Sequence, residues 1–448
     1  MRGEAKVILC CFVVFILAIN VEGGDEVEGG GRWIKWDGLE ADFSRQKGYI
    51  QSYGSYFEAS RSGRWVVQVW SGVRIVKGKA RDPRFDAGKG MRAIEPRVAV
   101  VWEVGEDGRL MRRVWSSEGE NFYVVDVEWI KDDLLISVLP GVRHSEEVGI
   151  EDWPLWQVFV LKPSAWKMER FTQFAADRML SSDRGDKVLL RNLEKFGEGE
   201  NEEIHLHIKI FSYPEGDEIS SFRFKEALRD FGVYFGEKGT LLGWPDDEHI
   251  WAIGKQEGPL LFGTPEQVPV LFNIDLKGNV KLWSGKPKTC WLLLKNDVTL
   301  PGDSGGLIVH TMLPQILQDG RAVVVLAPGP RLGFFSMHQL RKEYWFEPKM
   351  YPKELKRILR GPERRGASVL AITVDGKRLV LREGGSGVVW AWDLETNKME
   401  KLAKVGYVKK VFGWLKKDYL MVEVERSVMK EGKRRPVLEY GVIHVKMD

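Results

Sequence analysis

The chain has 448 residues, a length at which one hydrophobic core has usually stopped growing, so it contains several domains or a repeat whose units pack on their neighbours. Hydrophobic residues make up 44% and charged residues 29%, which excludes a disordered chain. The formal net charge of +3 is too close to balance for a protein whose surface binds nucleic acid.

The first 23 residues have the pattern of a secretory signal. Arg2 and Lys6 precede a run of apolar residues, and small and polar residues follow it. If this segment is cleaved, Cys290 is the last remaining cysteine. If it is not cleaved, it forms an N-terminal membrane anchor, and it is the one part of the chain that we expect in a membrane. We predict an exported protein, periplasmic, extracellular or anchored at the outer side of a membrane, with its folded body in residues 33–448.

Along this body, runs of β-branched and aromatic residues alternate with turn clusters of Asp, Gly, Asn and Lys. Seven inner hairpins are predicted. Four place a small residue, a Gly-containing turn and a basic residue before an apolar strand, and three place a Trp shortly before an Asp. In chain order the hairpins cover residues 60–67, 129–138, 181–190, 244–253, 318–325, 373–381 and 414–424.

A second hairpin follows three of these inner hairpins, at residues 98–114, 270–283 and 388–402. Two consecutive hairpins make a four-stranded meander, and repeated meanders are typical of β-propellers. The predicted fold is therefore all-β, a single β-propeller of about seven four-stranded blades, with six or eight blades left open. A short helical insertion is predicted near residues 339–366.

The Asp-Gly-Lys-Arg turn at residues 375–378 comes directly before an apolar strand, and Trp392 and Asp393 follow in the next one. This stretch resembles the WD-like repeat of TolB-type propellers, most strongly in residues 368–402. The Gly-His dipeptide of true WD repeats is missing. The resemblance implies a propeller scaffold, which hosts enzymes and binding modules alike.

A ring of blades closes when both ends of the chain meet in one sheet. We expect residues near Trp33 to Trp36, or residues 56–59, to add a strand to the last blade, whose final strands include residues 438–445. Several Trp residues lie in or beside predicted strands and are expected to fill the space between blades. They are Trp65, Trp102, Trp129, Trp244, Trp390 and Trp414.

Residues 302–306, Gly-Asp-Ser-Gly-Gly, match the nucleophile loop of the trypsin family and the G-x-S-x-G elbow of hydrolases. A nucleophilic Ser304 would need a His base, and the trypsin-type sequence context of that His is missing. A helix follows the elbow serine in hydrolases, whereas residues 307–309 predict a strand. We interpret the motif as a Gly-rich turn.

Ser181, Asp183 and Gly185 partly match the Asp-box turn of sialidases, but Val188 replaces the expected aromatic residue and no second copy is evident. One partial box does not define a site.

His205 and His207 alternate with apolar residues on one strand, beside Glu202 and Glu203. Two histidines on a strand are too few ligands for a metal ion, so we interpret them as the solvated face of an outer strand. The sequence thus predicts no catalytic residue, no cofactor and no metal site.

Residues 352–361 carry start and stop signals of a helix inside the predicted insertion. Its basic residues, with Arg364 and Arg365 beyond it, would suit an acidic partner or a membrane surface, although solubilising charge is the favoured interpretation. Residues 433–435, Lys-Arg-Arg, are predicted to form a solvated hairpin tip.

Since no complete catalytic set is found, we expect a binding or protein-interaction module, with a protein or small ligand at the propeller face and no nucleic acid. The alternative is an enzyme, a hydrolase or lyase, whose residues converge at the mouth of the channel. Convergent carboxylates, arginines or histidines with shifted pKa values would favour the enzyme. A broad apolar patch would favour a protein partner.

Overall fold

The computed structural model describes the chain from residue 33 to residue 446, with gaps. The described residues are 33–37, 39, 49–80, 83–142, 154–196, 203–225, 233–234, 240–244, 248–261, 264–282, 307–309, 315–316, 322–326, 332–336, 341–346, 348–360, 367–384, 386–430 and 433–446. They contain 32 β-strands and the α-helix α1 (Lys353–Arg360).

The first four sheets follow one another along the chain. Sheet I contains β2 (Tyr49–Ala59), β3 (Trp65–Lys77), β4 (Asp86–Gly88), β5 (Met91–Ile94), β6 (Arg97–Val104) and β7 (Leu110–Ser116). Sheet II contains β8 (Phe122–Ile130), β9 (Asp133–Pro140), β10 (Gln157–Leu161) and β11 (Met168–Thr172). Sheet III contains β12 (Arg178–Ser181), β13 (Lys187–Phe196), β14 (Glu203–Ser212) and β15 (Glu218–Lys225). Sheet IV contains β16 (Val233–Tyr234), β17 (Thr240–Gly243), β18 (His249–Leu261), β19 (Thr264–Asp275) and β20 (Val280–Leu282).

Three more sheets complete the described part of the chain. Sheet V contains β22 (Gln315–Ile316), β23 (Ala322–Leu326), β24 (Leu332–Ser336) and β25 (Arg341–Phe346). Sheet VI contains β21 (Leu307–Val309), β26 (Ala367–Ile372), β27 (Arg378–Glu383), β28 (Val388–Asp393) and β29 (Lys398–Lys404). Sheet VII contains β1 (Trp33–Lys35), β30 (Tyr407–Leu415), β31 (Tyr419–Lys430) and β32 (Lys433–His444).

The chain is thus all-β, and most sheets are four-stranded antiparallel meanders. The seven predicted inner hairpins are confirmed, because each sheet contains one: β2–β3, β8–β9, β12–β13, β17–β18, β22–β23, β26–β27 and β30–β31. The second hairpins at β6–β7, β19–β20 and β28–β29 are also present. The parallel pairing of β21 with β26 departs from the meander.

The predicted strand from the N-terminal end is confirmed. Trp33 to Lys35 pair antiparallel with Gly441 to Ile443 of the last strand, so sheet VII is built from both ends of the described chain. Trp36 continues this contact, since its backbone N–H donates to the Tyr440 carbonyl (2.8 Å) and its indole to the Gly108 carbonyl in sheet I (2.9 Å). The alternative at residues 56–59 is wrong, because those residues belong to β2 of sheet I.

The predicted insertion at residues 339–366 is only partly right. The helix is present as α1, with Leu355 and Ile358 buried one turn apart on the same face. The beginning of the segment, however, is β25, the fourth strand of sheet V. Its run of Tyr344, Trp345 and Phe346 consists of strand formers, and this preference decides the structure there.

Hydrophobic cores lie between five pairs of neighbouring sheets in the described part of the chain. Trp65 of sheet I packs with Trp129 of sheet II in one such core, and Trp244 packs against sheet III in another. Sheet II packs on sheet III, sheet VI on sheet VII, and sheet VII on sheet I. Trp102 and Trp414 are partly buried against these cores, which confirms the predicted packing role for five of the six Trp residues. Trp390 is half-buried.

The first strands of six of the seven inner hairpins lie side by side. In spatial order, β26 contacts β30, β30 contacts β2, β2 contacts β8, β8 contacts β12, and β12 contacts β17. Side chains from the first strands of different sheets therefore meet, although the strands are far apart in the sequence.

Candidate functional site

A cluster of carboxylates lies where the first strands of sheets I, II and III meet. Glu58 comes from β2, and Asp126 and Glu128 come from β8. On β8 the two acids alternate with the buried Val127 and Trp129, so both carboxylates project from the opposite face of the strand. We call Glu58, Asp126 and Glu128 the carboxylate cluster.

Asp126 and Glu128 each bind the first strand of sheet III. Asp126 accepts hydrogen bonds from the Arg178 guanidinium (3.0 Å) and the Met179 backbone N–H (2.9 Å). Glu128 accepts the backbone N–H (2.9 Å) and the hydroxyl (2.7 Å) of Ser181. The two carboxylates therefore connect sheet II to sheet III.

Glu58 connects sheet I to sheet II in the same way. Its carboxylate accepts the backbone N–H of Trp129 (3.2 Å) and the hydroxyl of Tyr56 (2.6 Å). The Trp129 indole donates to the Glu58 carbonyl (3.0 Å). Polar bonds thus run from β2 to β8 and from β8 to β12.

Burial shifts the ionisation of these groups. It raises the pKa of Glu58 to about 7 and raises the pKa of Asp126. Burial, followed by the charge of Glu58, raises the pKa of Glu128 well above its usual range, and burial raises the pKa of Tyr56 as well. Because the charge of Asp126 raises the pKa of Glu58, and the charges of Glu58 and Asp126 raise that of Glu128, these carboxylates titrate together.

The cluster has the ionisation of an acid–base group, but its carboxylates are already engaged in hydrogen bonds between sheets. A carboxylate with a pKa near 7 suits general acid or base catalysis. Each carboxylate, however, already accepts a hydrogen bond from the neighbouring sheet. Among the described residues, no group of three or more His, Cys, Asp or Glu side chains is placed to hold a metal ion.

A second candidate site is a groove of about 570 Å³ between sheets I and II. Sheet I contributes Arg64, Trp65, Arg112 and Arg113, together with Val114. Pro163, Ser164 and Trp166 come from the β10–β11 turn of sheet II. We call this concavity the arginine–tryptophan groove.

Glu103 holds two of the guanidinium groups in place. Its two carboxylate oxygens pair separately with Arg64 (3.0 Å) and Arg112 (2.7 Å). The bond from Arg112, then that from Arg64, lowers the pKa of Glu103, which keeps this carboxylate charged. Arg113 is held by Glu118 at 2.8 Å.

The aromatic residues of the groove contact one another and the arginines. The Arg64 guanidinium lies 4.8 Å above the Trp65 ring, and the Trp166 ring meets Trp65 edge to face at 5.0 Å between centroids. Trp166 has a left-handed backbone (φ 48°), which the tight β10–β11 turn requires. The indole of Trp166 is half-buried, so part of its surface faces solvent.

The interpretation of His205 and His207 as the solvated face of an outer strand is wrong. β14 lies between β13 and β15, so it is an inner strand of sheet III. His207 is 2% exposed, and its ring nitrogens contact Glu194 (2.5 Å) and the Ser221 hydroxyl (2.9 Å). Burial lowers the pKa of His207, so the ring is neutral at pH 7.

The residues of the partial Asp box lie at the β12–β13 turn of sheet III. Ser181 ends β12 and donates its hydroxyl to Glu128, while Gly185 occupies a left-handed turn (φ 66°) in the β12–β13 hairpin. Ser304, in the Gly-rich motif, lies outside the described residues, as does Cys290.

The predicted basic surfaces are partly described. Arg357 of α1 is exposed, and Arg364 and Arg365 lie outside the described residues. Lys433, Arg434 and Arg435 are exposed at the start of β32, next to the β31–β32 turn, as expected for a hairpin tip.

Neither the carboxylate cluster nor the groove was predicted from the sequence. A signal for the cluster exists, because Asp126 and Glu128 occupy alternate positions in an otherwise apolar strand. The groove has no such signal, since Arg64, Arg112 and Trp166 come from three separate stretches of the chain. No helix in the described ranges is long and apolar enough to span a bilayer.

No protein-family model matches the sequence, and no curated protein matches it. Among solved structures, the chain is similar to the β-propeller domain of the Trilobed protease from Pyrococcus furiosus, with 12% identity, coverage of 88% of this chain and 96% of that one, and a TM-score of 0.39. It is also similar to acylaminoacyl peptidase from Pyrococcus horikoshii, with 8% identity, 86% and 52% coverage, and a TM-score of 0.42. An oligogalacturonate lyase from Vibrio parahaemolyticus matches with 9% identity, 88% and 90% coverage, and a TM-score of 0.41. The chain spans about half of the peptidase, and these weak likenesses concern the β-propeller fold alone.

Proposed function

We propose that this chain is an exported β-propeller of seven four-stranded blades that works as a binding and protein-interaction module. The packing of sheets I to IV on one another, and of sheet VII between sheets VI and I, supports the ring, as does the sheet shared by β1 and β32. Closure by both ends of the chain removes exposed sheet edges at the junction of sheets VII and I.

The arginine–tryptophan groove carries this proposal. Its volume of about 570 Å³ lies within the range of small-ligand sites, roughly 300–1,000 Å³. Tryptophan and arginine are the side chains most enriched among residues that dominate binding energy. The pairing of Glu103 with Arg64 and Arg112 restricts these side chains before a ligand arrives, which lowers part of the entropic cost of binding.

An enzyme, a hydrolase or lyase, is the second candidate function. The pKa of about 7 at Glu58 favours it, because a group that titrates near the working pH can both give and take a proton. Glu58 is then the acid–base residue, and its charge raises the pKa of the neighbouring Glu128. The engagement of each carboxylate between sheets weighs against this candidate.

Export is part of the proposal and rests on the first 23 residues. Expression with and without these residues, followed by cell fractionation, tests it. The N-terminal sequence of the exported chain distinguishes cleavage after Gly23 from an uncleaved anchor.

The binding function is tested by thermal shift of residues 24–448 with peptides, sugars, nucleotides and metal ions. A ligand at 100 times its Kd stabilises the folded state by about 2.7 kcal/mol. We expect a shift that disappears in an Arg64→Gln, Arg112→Gln, Arg113→Gln variant and persists in Glu58→Gln. A shift lost only in Glu58→Gln, together with turnover of that ligand, would favour the enzyme. No shift with any class of ligand would contradict the binding function.

A further inference from the structure

We infer that the arginine–tryptophan groove binds an acidic peptide segment, a short stretch that carries two or more carboxylates beside an apolar or aromatic side chain. This inference rests on the proposed binding function and adds the chemistry of the partner.

The arginines supply the first part of the argument. Arg112 donates to Glu103 through Nε (2.7 Å), and within the part of the chain that the structure describes its two terminal nitrogens make no hydrogen bond. The planar edge of a guanidinium matches a carboxylate with two parallel hydrogen bonds. Arg113, next to it on β7, offers a second cation within the same groove. A ligand with two carboxylates matches this pair.

The aromatic side chains supply the second part. Trp65 is 5% exposed and fixed in the core between sheets I and II, so it forms a rigid floor. The half-buried Trp166 lies beside Trp65 at the side of the groove, and Val114 and Pro163 add further apolar surface to its lining. An apolar side chain of the ligand gains burial on these surfaces, whereas a free inorganic anion gains none.

The exposure of the arginines explains why charge alone is insufficient for specific binding of a ligand. The side chains of Arg64, Arg112 and Arg113 are 62%, 71% and 38% exposed. Ion pairs at such positions are weak and screened by salt. Specific binding therefore needs carboxylates and an apolar group together, which is the chemistry of acidic-motif recognition by arginine clusters.

The experiment is a calorimetric titration of residues 24–448 with the capped pentapeptide Glu-Glu-Phe-Glu-Glu, compared with capped Gln-Gln-Phe-Gln-Gln. We expect the acidic peptide to bind at least about tenfold more tightly, and its affinity to fall as salt is raised. The double variant Arg112→Gln, Arg113→Gln and the single variant Trp166→Ala should each weaken binding about tenfold or more. Arg112→Lys should rescue only part of the loss, because lysine keeps the charge but not the planar fork.

The matched control is Arg109→Gln. Arg109 lies in the β6–β7 turn of the same sheet, 72% exposed and paired with Asp107 at 3.4 Å, outside the groove lining. It removes one positive charge, half of what the double variant removes, and should change the affinity less than about twofold. Melting temperatures of all variants, measured without ligand, separate lost binding from lost folding.

Several results would overturn the inference. Equal binding of the acidic and neutral peptides, or no effect of the groove variants, would show that the groove does not recognise acidic segments. Equal binding of inorganic sulfate or of a glucuronate disaccharide would show a general anion site instead. If the acidic peptide does not bind but another ligand of the thermal-shift panel does, the inference fails and the binding function stands. If neither the acidic peptide nor any ligand of the thermal-shift panel binds, both the inference and the proposed binding function are contradicted.

Discussion

Glu58 and Trp129 bind each other twice across the boundary between sheets I and II. The Trp129 indole donates to the Glu58 carbonyl at 3.0 Å, and the Glu58 carboxylate accepts the Trp129 backbone N–H at 3.2 Å. A partly buried acid thus joins two sheets, and its protonation is coupled to the stability of that contact.

The first prediction concerns the pH dependence of stability. Because the pKa of Glu58 is about 7 in the folded protein and about 4.5 when unfolded, the folded state holds an extra proton between these values. Stability therefore falls as the pH rises through this window, by about 3 kcal/mol at most. Glu58→Gln cannot ionise, so its stability relative to the wild type should increase from pH 5 to pH 8, as measured by urea unfolding.

The control for this prediction is Glu120→Gln, at an exposed position between β7 and β8. It should change the unfolding free energy by less than about 0.5 kcal/mol. Asp126 and Glu128 also have raised pKa values, so part of the pH dependence should remain in Glu58→Gln. A Glu58→Gln profile parallel to that of the wild type would contradict the assignment.

The second prediction concerns indole hydrogen bonds between sheets. Trp129 donates to Glu58 of sheet I, and Trp414 donates to the Ile372 carbonyl of sheet VI, both at 3.0 Å. Trp129→Phe or Trp414→Phe keeps most of the apolar surface but removes the indole hydrogen bond between the sheets. Each should reduce the unfolding free energy by about 0.5–1.5 kcal/mol.

Trp115→Phe provides the comparison for these variants. Trp115 is a partly buried residue packed against the same core as Trp129, without a hydrogen bond between sheets in the described structure. Trp115→Phe should reduce the free energy of unfolding clearly less than Trp129→Phe or Trp414→Phe. Equal costs at all three positions would show that ring volume, rather than the indole hydrogen bond, determines the loss.

The hairpins were predictable because their signal is local. The hydroxyl of Ser182 accepts the Lys187 backbone N–H (3.1 Å), and Thr373 accepts that of Arg378 (2.9 Å). A Ser or Thr five residues before a strand, with Gly between them, therefore encodes the turn within one short stretch. The four-stranded sheets follow from repetition of this signal.

The environment of side chains from distant stretches was not predictable in the same way. The alternation around His207 correctly placed it on one face of a strand, but its burial depends on β13 and β15, which cover both edges of β14. The groove likewise depends on how sheet II packs against sheet I. Sequence periodicity describes a strand and not the neighbour that covers it.

The third prediction concerns His207. Burial lowers its pKa, so the folded state keeps the ring neutral while the unfolded chain gains a proton below pH 6.5. The contribution of His207 to the free energy of unfolding is present above that pH and is lost as the pH falls. This pH dependence is opposite in sign to that of Glu58. His207→Gln should cost about 1–3 kcal/mol at pH 8 and less at pH 5, measured by urea unfolding.

His205→Gln, on the same strand, is the matched control and should cost less because His205 is only half-buried. Excess Zn²⁺ should leave the melting temperature of the wild type unchanged, since both ring nitrogens of His207 already contact Glu194 and Ser221. Stabilisation by Zn²⁺ that is lost in His207→Gln would instead restore the metal hypothesis.

The fourth prediction tests closure of the molecule by β1. A methyl group at Gly441 would meet the Ile34 carbonyl oxygen and the Trp33 ring, so only glycine lets β1 lie against β32. Gly441→Ala should therefore destabilise residues 24–448 by about 2 kcal/mol or more. In a chain that begins at residue 38, which lacks β1, the same substitution should cost little, because the groups that would clash are gone.

Removal of β1 also removes Trp36, which is 3% exposed and contacts both Tyr440 and Gly108. The shortened chain should lose at least about 3 kcal/mol of stability, as should Trp36→Ala in the longer chain. Urea unfolding of the four proteins, with and without β1 and with glycine or alanine at position 441, gives the coupling energy directly. If Gly441→Ala costs the same in both backgrounds, β1 does not occupy the edge of the last sheet in solution, and a ring closed by the N-terminal strand is untenable.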